Sequence, residues 1–201
     1  MRDHVRSFVA EAVDVMGLKG PVLEVGARAA EGQEELADLR PLFEGSDYVG
    51  VDIQEGPGVD RVEDVHRLDL PDESFGTALA LDTLEHVADP RRAVSELWRV
   101  LRPGGVALIT SVMFFPIHAH PWDYWRFTPE GFRLLLEPFE TSLVMAYGWE
   151  LMPETVFGVG VKGGFEGLAP GVFPQTERLC DEWGNGRPLD LGPLRLGARE
   201  M

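Results

Sequence analysis

The sequence predicts an α/β fold built around a parallel sheet, and two observations carry that expectation. The stretch Pro21–Asp52 reads as a strand, a glycine turn, a helix and a second strand ending on an acid. Beyond it, short apolar runs alternate with helix-periodic segments as far as Val112, the rhythm of strands joined by crossover helices. With 201 residues, 44% of them hydrophobic, the chain is long enough for one domain with an appendage and a sizeable core.

The first element is an amphipathic helix. Val5, Phe8, Val9, Ala12, Val13 and Met16 recur at helical spacing, and Gly17 is placed to end it. Pro21 cannot donate to a sheet ladder and suits the start of the first strand, whose apolar run is Val22, Leu23 and Val25. Gly26 can take the angles that turn the chain off the strand end. A helix over Gly32–Leu39 returns the chain to the second strand, Tyr48–Asp52. A weak third strand is expected near Val59–Val62, with Asp64 ending it in register, and Thr77–Asp82 is the fourth. Asp89 and Pro90 open a helix as cap and first helical residue. Its buried stripe is Ala93, Val94, Leu97, Trp98 and Leu101, and Arg102-Pro103-Gly104-Gly105 stops it. Val106–Val112 is the fifth strand. Thr128, Pro129 and Glu130 open another helix. The β-branched and aromatic content of Thr141–Trp149 and Thr155–Lys162 makes those segments strands.

Asp52 falls at the carboxyl end of the second strand, beside the end of the first. Open parallel sheets bind ligands along that edge, and a carboxylate there can accept hydrogen bonds from both hydroxyls of a ribose. The alternative is an acid that only caps a loop. Net charge is -16 and the pI about 4.6, a surface that repels phosphate backbones and disfavours a nucleic-acid partner. The single cysteine, Cys180, permits no internal disulfide, which fits a reducing, cytoplasmic setting. No signal peptide is recognisable, and the longest apolar-rich run, Val106–Phe115, is too short for a membrane span.

In order and spacing, VLEVGxR, YVGVDI, EDVHRLDLPDESF, LDTLEHVADP and LWRVLRPGGVALIT resemble the class I S-adenosylmethionine-dependent methyltransferases, in particular those of methyltransferase type 11. The resemblance covers residues 21–112. It implies a Rossmann-like, doubly wound seven-stranded sheet of order 3-2-1-4-5-7-6 with an antiparallel last strand and helices on both faces. It also implies S-adenosyl-L-methionine as cofactor. Carried over residue by residue, Glu24, Gly26 and Ala27 belong to the first motif, whose loop backbone meets the methionine part. Asp52, followed by Ile53, holds the ribose hydroxyls. Asp64 accepts from the adenine amine and the Val65 backbone contacts the ring. Asp82 and Thr83 line the floor beneath the sulfonium. One departure stands out: Arg28 and Ala30 occupy positions where the family carries glycine. Either the loop takes another path, using Gly32, or cofactor contact is looser. The same departure removes the GxGxxG of a nicotinamide site.

The segment after the fifth strand, MFFPIHAHPWDYWRFTPEGF, is the most individual. The resemblance places acceptor entry over strands four and five, so this loop is the candidate pocket, with His118, His120, Asp123 and Arg126 as catalytic candidates. One imidazole would serve as base, and Asp123 or Arg126 would shape the pocket. The plainer reading is a loop packed by its Trp and Tyr rings and held by an Asp123–Arg126 pair. HxHxxD is also a loose metal-ligand spacing, but no further cluster joins it, and no metal is assigned. His86 reads as a supporting histidine rather than a base.

Residues 1–163 are therefore expected to form the methyltransferase domain, and 164–201 a Gly/Pro-rich tail in which only Thr176–Trp183 is weakly helical. Phe165, Leu168, Phe173, Leu179 and Trp183 are too apolar for a free tail. They should pack on the domain or on a second subunit in a homodimer. The expected protein is a methyltransferase of a small-molecule acceptor, with neither nucleic acid nor membrane as partner. A cofactor-binding protein without methyl transfer and a protein methyltransferase remain alternatives.

Overall fold

The computed structural model describes residues 1–118, 121–184, 189–191 and 194–196. Helix α1 (Asp3–Met16) leads into strand β1 (Val22–Val25), a single helical turn α2 (Glu34–Ala37), β2 (Tyr48–Asp52) and a short β3 (Arg61–Val62). Then follow β4 (Phe75–Leu81), α3 (Pro90–Val100), β5 (Leu101–Val112), α4 (Pro129–Leu135), β6 (Thr141–Trp149), β7 (Met152–Val161) and α5 (Pro174–Gly184). The pair β8 (Leu189–Leu191) and β9 (Leu194–Leu196) is antiparallel.

Seven strands form one sheet in the order β3-β2-β1-β4-β5-β7-β6. The first five run parallel, and β7 lies antiparallel to both β5 and β6. Side chains of alternate residues pass to opposite faces. Leu23 and Val25 of β1 join a core under α3 and α4 that includes Leu97, Val100, Phe132 and Leu136. Val22 joins a second core with Val5, Phe8 and Val9 of α1 and Phe157 of β7. Each such fully buried side chain contributes roughly 1.5–3 kcal/mol relative to exposure. The turn chemistry is local. Gly17 ends α1 at φ 59°, Asp89 caps α3 by accepting from the Arg92 amide, and Thr128 caps α4 by accepting from Gly131.

Beyond β7 the chain returns to α1. Phe173 is buried against Phe8 at a ring-centroid separation of 5.9 Å. Glu11 of α1 accepts hydrogen bonds from the amides of Gln175 and Thr176 and from the Thr176 hydroxyl, so an α1 carboxylate satisfies the opening turn of α5. Among the described residues no helix is long and apolar enough to cross a membrane.

Three local expectations are corrected. The helix expected over Gly32–Leu39 shrinks to Glu34–Ala37, followed by a 3-10 turn at Arg40–Phe43. None of the residues in α2 is buried, so no apolar stripe drives a longer helix, and Pro41 denies it an interior. Strand β3 stops at Val62 rather than carrying Asp64. Asp64 instead faces Arg67 across an isolated bridge, because its carboxylate is turned back onto His66. Strand β5 begins at Leu101, five residues before the expected start at Val106, since Leu101 already pairs with Phe75.

Candidate active site

The carboxyl ends of β1, β2 and β4 gather the first part of the site. Gly26 leaves β1 at φ 73°, and a Cβ there would lie 2.3 Å from the Thr83 hydroxyl oxygen, so glycine is required both by conformation and by space. Arg28 and Ala30 do not enter the left-handed region; in this loop Gly26 and Gly32 do, Gly32 at φ 76°. The Arg28 amide donates to Asp52 at 3.3 Å and the Gln54 amide donates to its other oxygen at 3.0 Å. The loops after β1 and β2 are knit together behind it: Ala29 donates to the Pro57 carbonyl, and a Cβ on Gly58 would meet the Ala27 carbonyl at 2.4 Å. Asp52 thus sits half-exposed at a rigid seam, and the neighbouring Ile53 side chain is 65% exposed, an apolar surface beside a carboxylate.

Glu24 turns away from this edge. Its carboxylate is buried and accepts a hydrogen bond from the Tyr48 hydroxyl at 2.8 Å. Burial pushes the group up to about 7, against the opposing effect of that hydrogen bond. Asp64 is exposed. One of its oxygens accepts from the His66 amide at 2.9 Å and faces the His66 ring at 2.6 Å, and the amide bond is the leading cause that lowers its pKa. Its second oxygen remains available. Val65 beside it packs on the core under α3.

At the end of β4, Asp82 takes φ 50°, a conformation that side chains other than glycine seldom hold without support. The support is dense. The Asp82 amide donates to the Thr110 carbonyl and hydroxyl oxygens, and the Thr110 hydroxyl donates to the carboxylate at 2.9 Å. Arg2, just ahead of α1, donates to both Asp82 oxygens at 2.7 and 3.2 Å, and reaches Glu154 at 3.1 Å and the Thr155 hydroxyl at 2.6 Å. Thr83 donates to the carbonyls of Leu81 and Val25. Arg2 also lines an open cleft of about 600 Å³, together with His4, Tyr147 and Glu154.

The loop after β5 folds over this end of the sheet. Its backbone is hung on the segment after β4: Tyr124 and Trp125 donate to the Glu85 carbonyl, and the Trp125 indole donates to Val87 at 2.9 Å. Asp123 and Arg126 are brought together as a two-pronged pair at 2.5 and 2.8 Å, with the Asp123 side chain 1% exposed. Arg126 also donates to the carbonyls of Phe115, Pro116 and Trp125. Its guanidinium holds the Asp123 carboxyl well below the usual carboxylate range. Both groups therefore hold the loop's shape, the Asp123 carboxylate buried and Arg126 partly exposed. His118 is half-buried at the loop's inner face, its ring 4.7 Å from that of His86. His120 lies outside the described residues. Phe114, Ile117, Trp122, Tyr124 and Trp125 expose large apolar surface along the same loop.

Two participants carry no sequence signal of their own. Arg2 reaches Asp82 across a separation of 80 residues. Glu85 is fully buried behind the loop, accepting from the Ser111 hydroxyl at 2.6 Å.

Against known proteins, a family profile described as a methyltransferase domain matches residues 23–109. A Mycolicibacterium smegmatis protein named as a probable S-adenosylmethionine-dependent methyltransferase is 36% identical over 129 residues, 60% of this chain and 50% of that one. A demethylmenaquinone methyltransferase of Clavibacter sepedonicus is 37% identical over 86 residues, 36% of this chain and 35% of that one. The chain thus spans half or less of the length of these relatives. Among solved structures, the Burkholderia thailandensis 1,6-didemethyltoxoflavin-N1-methyltransferase, with its acceptor and S-adenosylhomocysteine bound, superposes with a TM-score of 0.60 at 19% identity, covering 81% of this chain and 80% of that one.

Proposed function

Taking as premise that the chain belongs to the class I S-adenosylmethionine-dependent methyltransferase family, we propose that it transfers a methyl group from S-adenosyl-L-methionine to a small-molecule acceptor. The observation that carries the cofactor half is the row of groups at adjacent strand ends: Gly26 after β1, Asp52 ending β2, Asp64 just past β3 and Asp82 after β4. These residues fit the cofactor's chemistry. Asp52 is braced by two amides and keeps acceptor capacity for ribose hydroxyls, and the free oxygen of Asp64 suits an amine, while the Asp82 charge is already matched by Arg2. When bound, the cofactor supplies an electrophilic methyl on sulfur.

This chain then supplies position. The departing thioether keeps the carbon–sulfur electron pair and needs no acid, so holding the acceptor in line provides much of the rate. A base for an O–H or N–H acceptor comes from His118 or His120. The exposed rings of Phe114, Trp122 and Tyr124 give an apolar wall for the acceptor's body, in keeping with the quinone-type acceptor named for one relative.

A screen of acceptor libraries with methyl-labelled cofactor tests the proposal. Label should appear in at least one small molecule. Cofactor binding without transfer to any small molecule or protein would instead favour the cofactor-binding alternative, and label in protein alone would favour a protein methyltransferase.

A further inference from the structure

Behind the loop, one oxygen or nitrogen from each of Glu85, His86 and His118 lies within 4.8 Å of the others. Three hydrogen-bonding facts make this cluster unusual. The His86 Nδ1 meets the Trp122 carbonyl at 2.8 Å. A carbonyl can only accept, so Nδ1 carries the proton and Nε2 presents a lone pair. The His118 Nδ1 faces the Pro116 carbonyl at 3.2 Å and an Asp123 oxygen at 3.3 Å, both acceptors, which fixes the same tautomer. Glu85 keeps one oxygen, Oε1, fully buried without any hydrogen-bond partner, while its other oxygen is taken by Ser111. The cluster therefore brings two imidazole lone pairs beside a carboxyl oxygen that has no partner in the protein. A buried carboxylate oxygen without a partner is unfavourable, and a bound cation would satisfy it.

We propose that Glu85, His86 and His118 bind a divalent transition-metal ion. Two imidazole nitrogens and one carboxylate oxygen are the ligand set that borderline ions such as zinc and cobalt accept. The outer contacts have the form metal-binding histidines require: a backbone carbonyl behind His86, and a carboxylate, itself held by Arg126, behind His118. Asp123 thereby gains a positioning role. The site differs from the HxHxxD set that the sequence offers, because Asp123 faces Arg126 and His118 rather than the cluster. Resting on the methyl-transfer reading, an ion at this cluster would take an oxygen acceptor and replace His118 as the means of removing its proton, since a coordinated hydroxyl gives up its proton more readily.

The test is metal binding by the untagged, metal-stripped full chain, read by calorimetry with Zn²⁺ and by the visible absorption of Co²⁺ at pH 7.5. The chain's 34 acidic residues will bind ions loosely, so stoichiometry and variants decide. Expected is one tight site per chain, a cobalt spectrum with nitrogen ligation, and affinity at least tenfold weaker in His118→Ala and in His86→Ala, with melting temperatures showing both variants folded. Asp123→Asn should weaken binding by about 10- to 100-fold if it folds. Absence of a single tight site, or equal affinity in wild type and both histidine variants, overturns the proposal. Ion binding in a chain that never transfers methyl would count against the methyl-transfer reading and leave the metal site standing.

Discussion

The two halves of the candidate site are built on opposite principles. On the side of β1, β2 and β3, the acids are braced by amides and keep capacity to spare: Asp52 accepts from Arg28 and Gln54, and Asp64 from His66 alone. On the side of β4, β5 and the following loop, charges consume one another. Asp123 is gripped at both oxygens by Arg126, and Asp82 is gripped by Arg2 and Thr110. A rigid backbone with unspent acceptors suits a ligand that is the same in every turnover. A loop that must hold an individual shape without a sheet ladder needs internal ion pairs. The first arrangement spends stability on readiness to bind, and the second spends binding capacity on shape.

The largest effect expected from this contrast is on the loop. Arg126→Ala leaves the Asp123 carboxylate buried without its partner, and breaking a buried pair on one side costs about 3–5 kcal/mol. Urea unfolding should show a loss of that order while cofactor affinity, set across the sheet, changes little. A loss below about 1 kcal/mol would mean that the pair is ornamental and that the loop is held by its aromatic packing.

Next in size is a pH dependence from Glu24. Its carboxyl stands at about 7 in the folded chain against an ordinary value of 4.5. Between those values the folded state holds the proton and the unfolded state has lost it. Stability from this group is therefore greatest below pH 4.5 and falls as pH rises to about 7, by roughly 3 kcal/mol in all. Glu24→Gln keeps an acceptor for the Tyr48 hydroxyl and removes the titration. The variant should gain about 2–3 kcal/mol on wild type between pH 5 and pH 8. A stability difference that stays flat over that interval would contradict the assignment.

The smallest predicted effect concerns adenine. Asp64 is exposed and shares one oxygen with His66, so it discriminates more than it binds. Asp64→Asn should weaken S-adenosylhomocysteine by a few-fold, within about 1 kcal/mol. An analogue lacking the exocyclic amine should lose less. Equal losses for both ligands would remove Asp64 from adenine recognition.

The same contrast explains what was legible in the sequence. The side proposed to hold the cofactor is local: a glycine at a strand end and an acid ending the next strand are each readable within a few residues. The sheet order follows from the family resemblance, and composition announced β6 at Thr141–Trp149 and most of β7, which begins at Met152 rather than the expected Thr155 and ends at Val161. The other side is tertiary. Arg2 finds Glu154 across 152 residues, and no periodicity encodes that. Glu85 is fully buried, and no spacing in the sequence encodes that. The helix expected over Gly32–Leu39 failed because its spacing offered no face to bury, and Asp64 left the strand because a side-chain bond to the next-but-one residue turned it back.

The central claim is that Asp52 is held ready for a ribose. Calorimetry of S-adenosylhomocysteine binding to wild type and Asp52→Ala tests it most directly. Hydrogen bonds to a charged acceptor are worth roughly 1.5–3 kcal/mol, so affinity should fall by about 10- to 100-fold while the variant's melting curve stays cooperative. An unchanged dissociation constant in a folded variant would contradict the account.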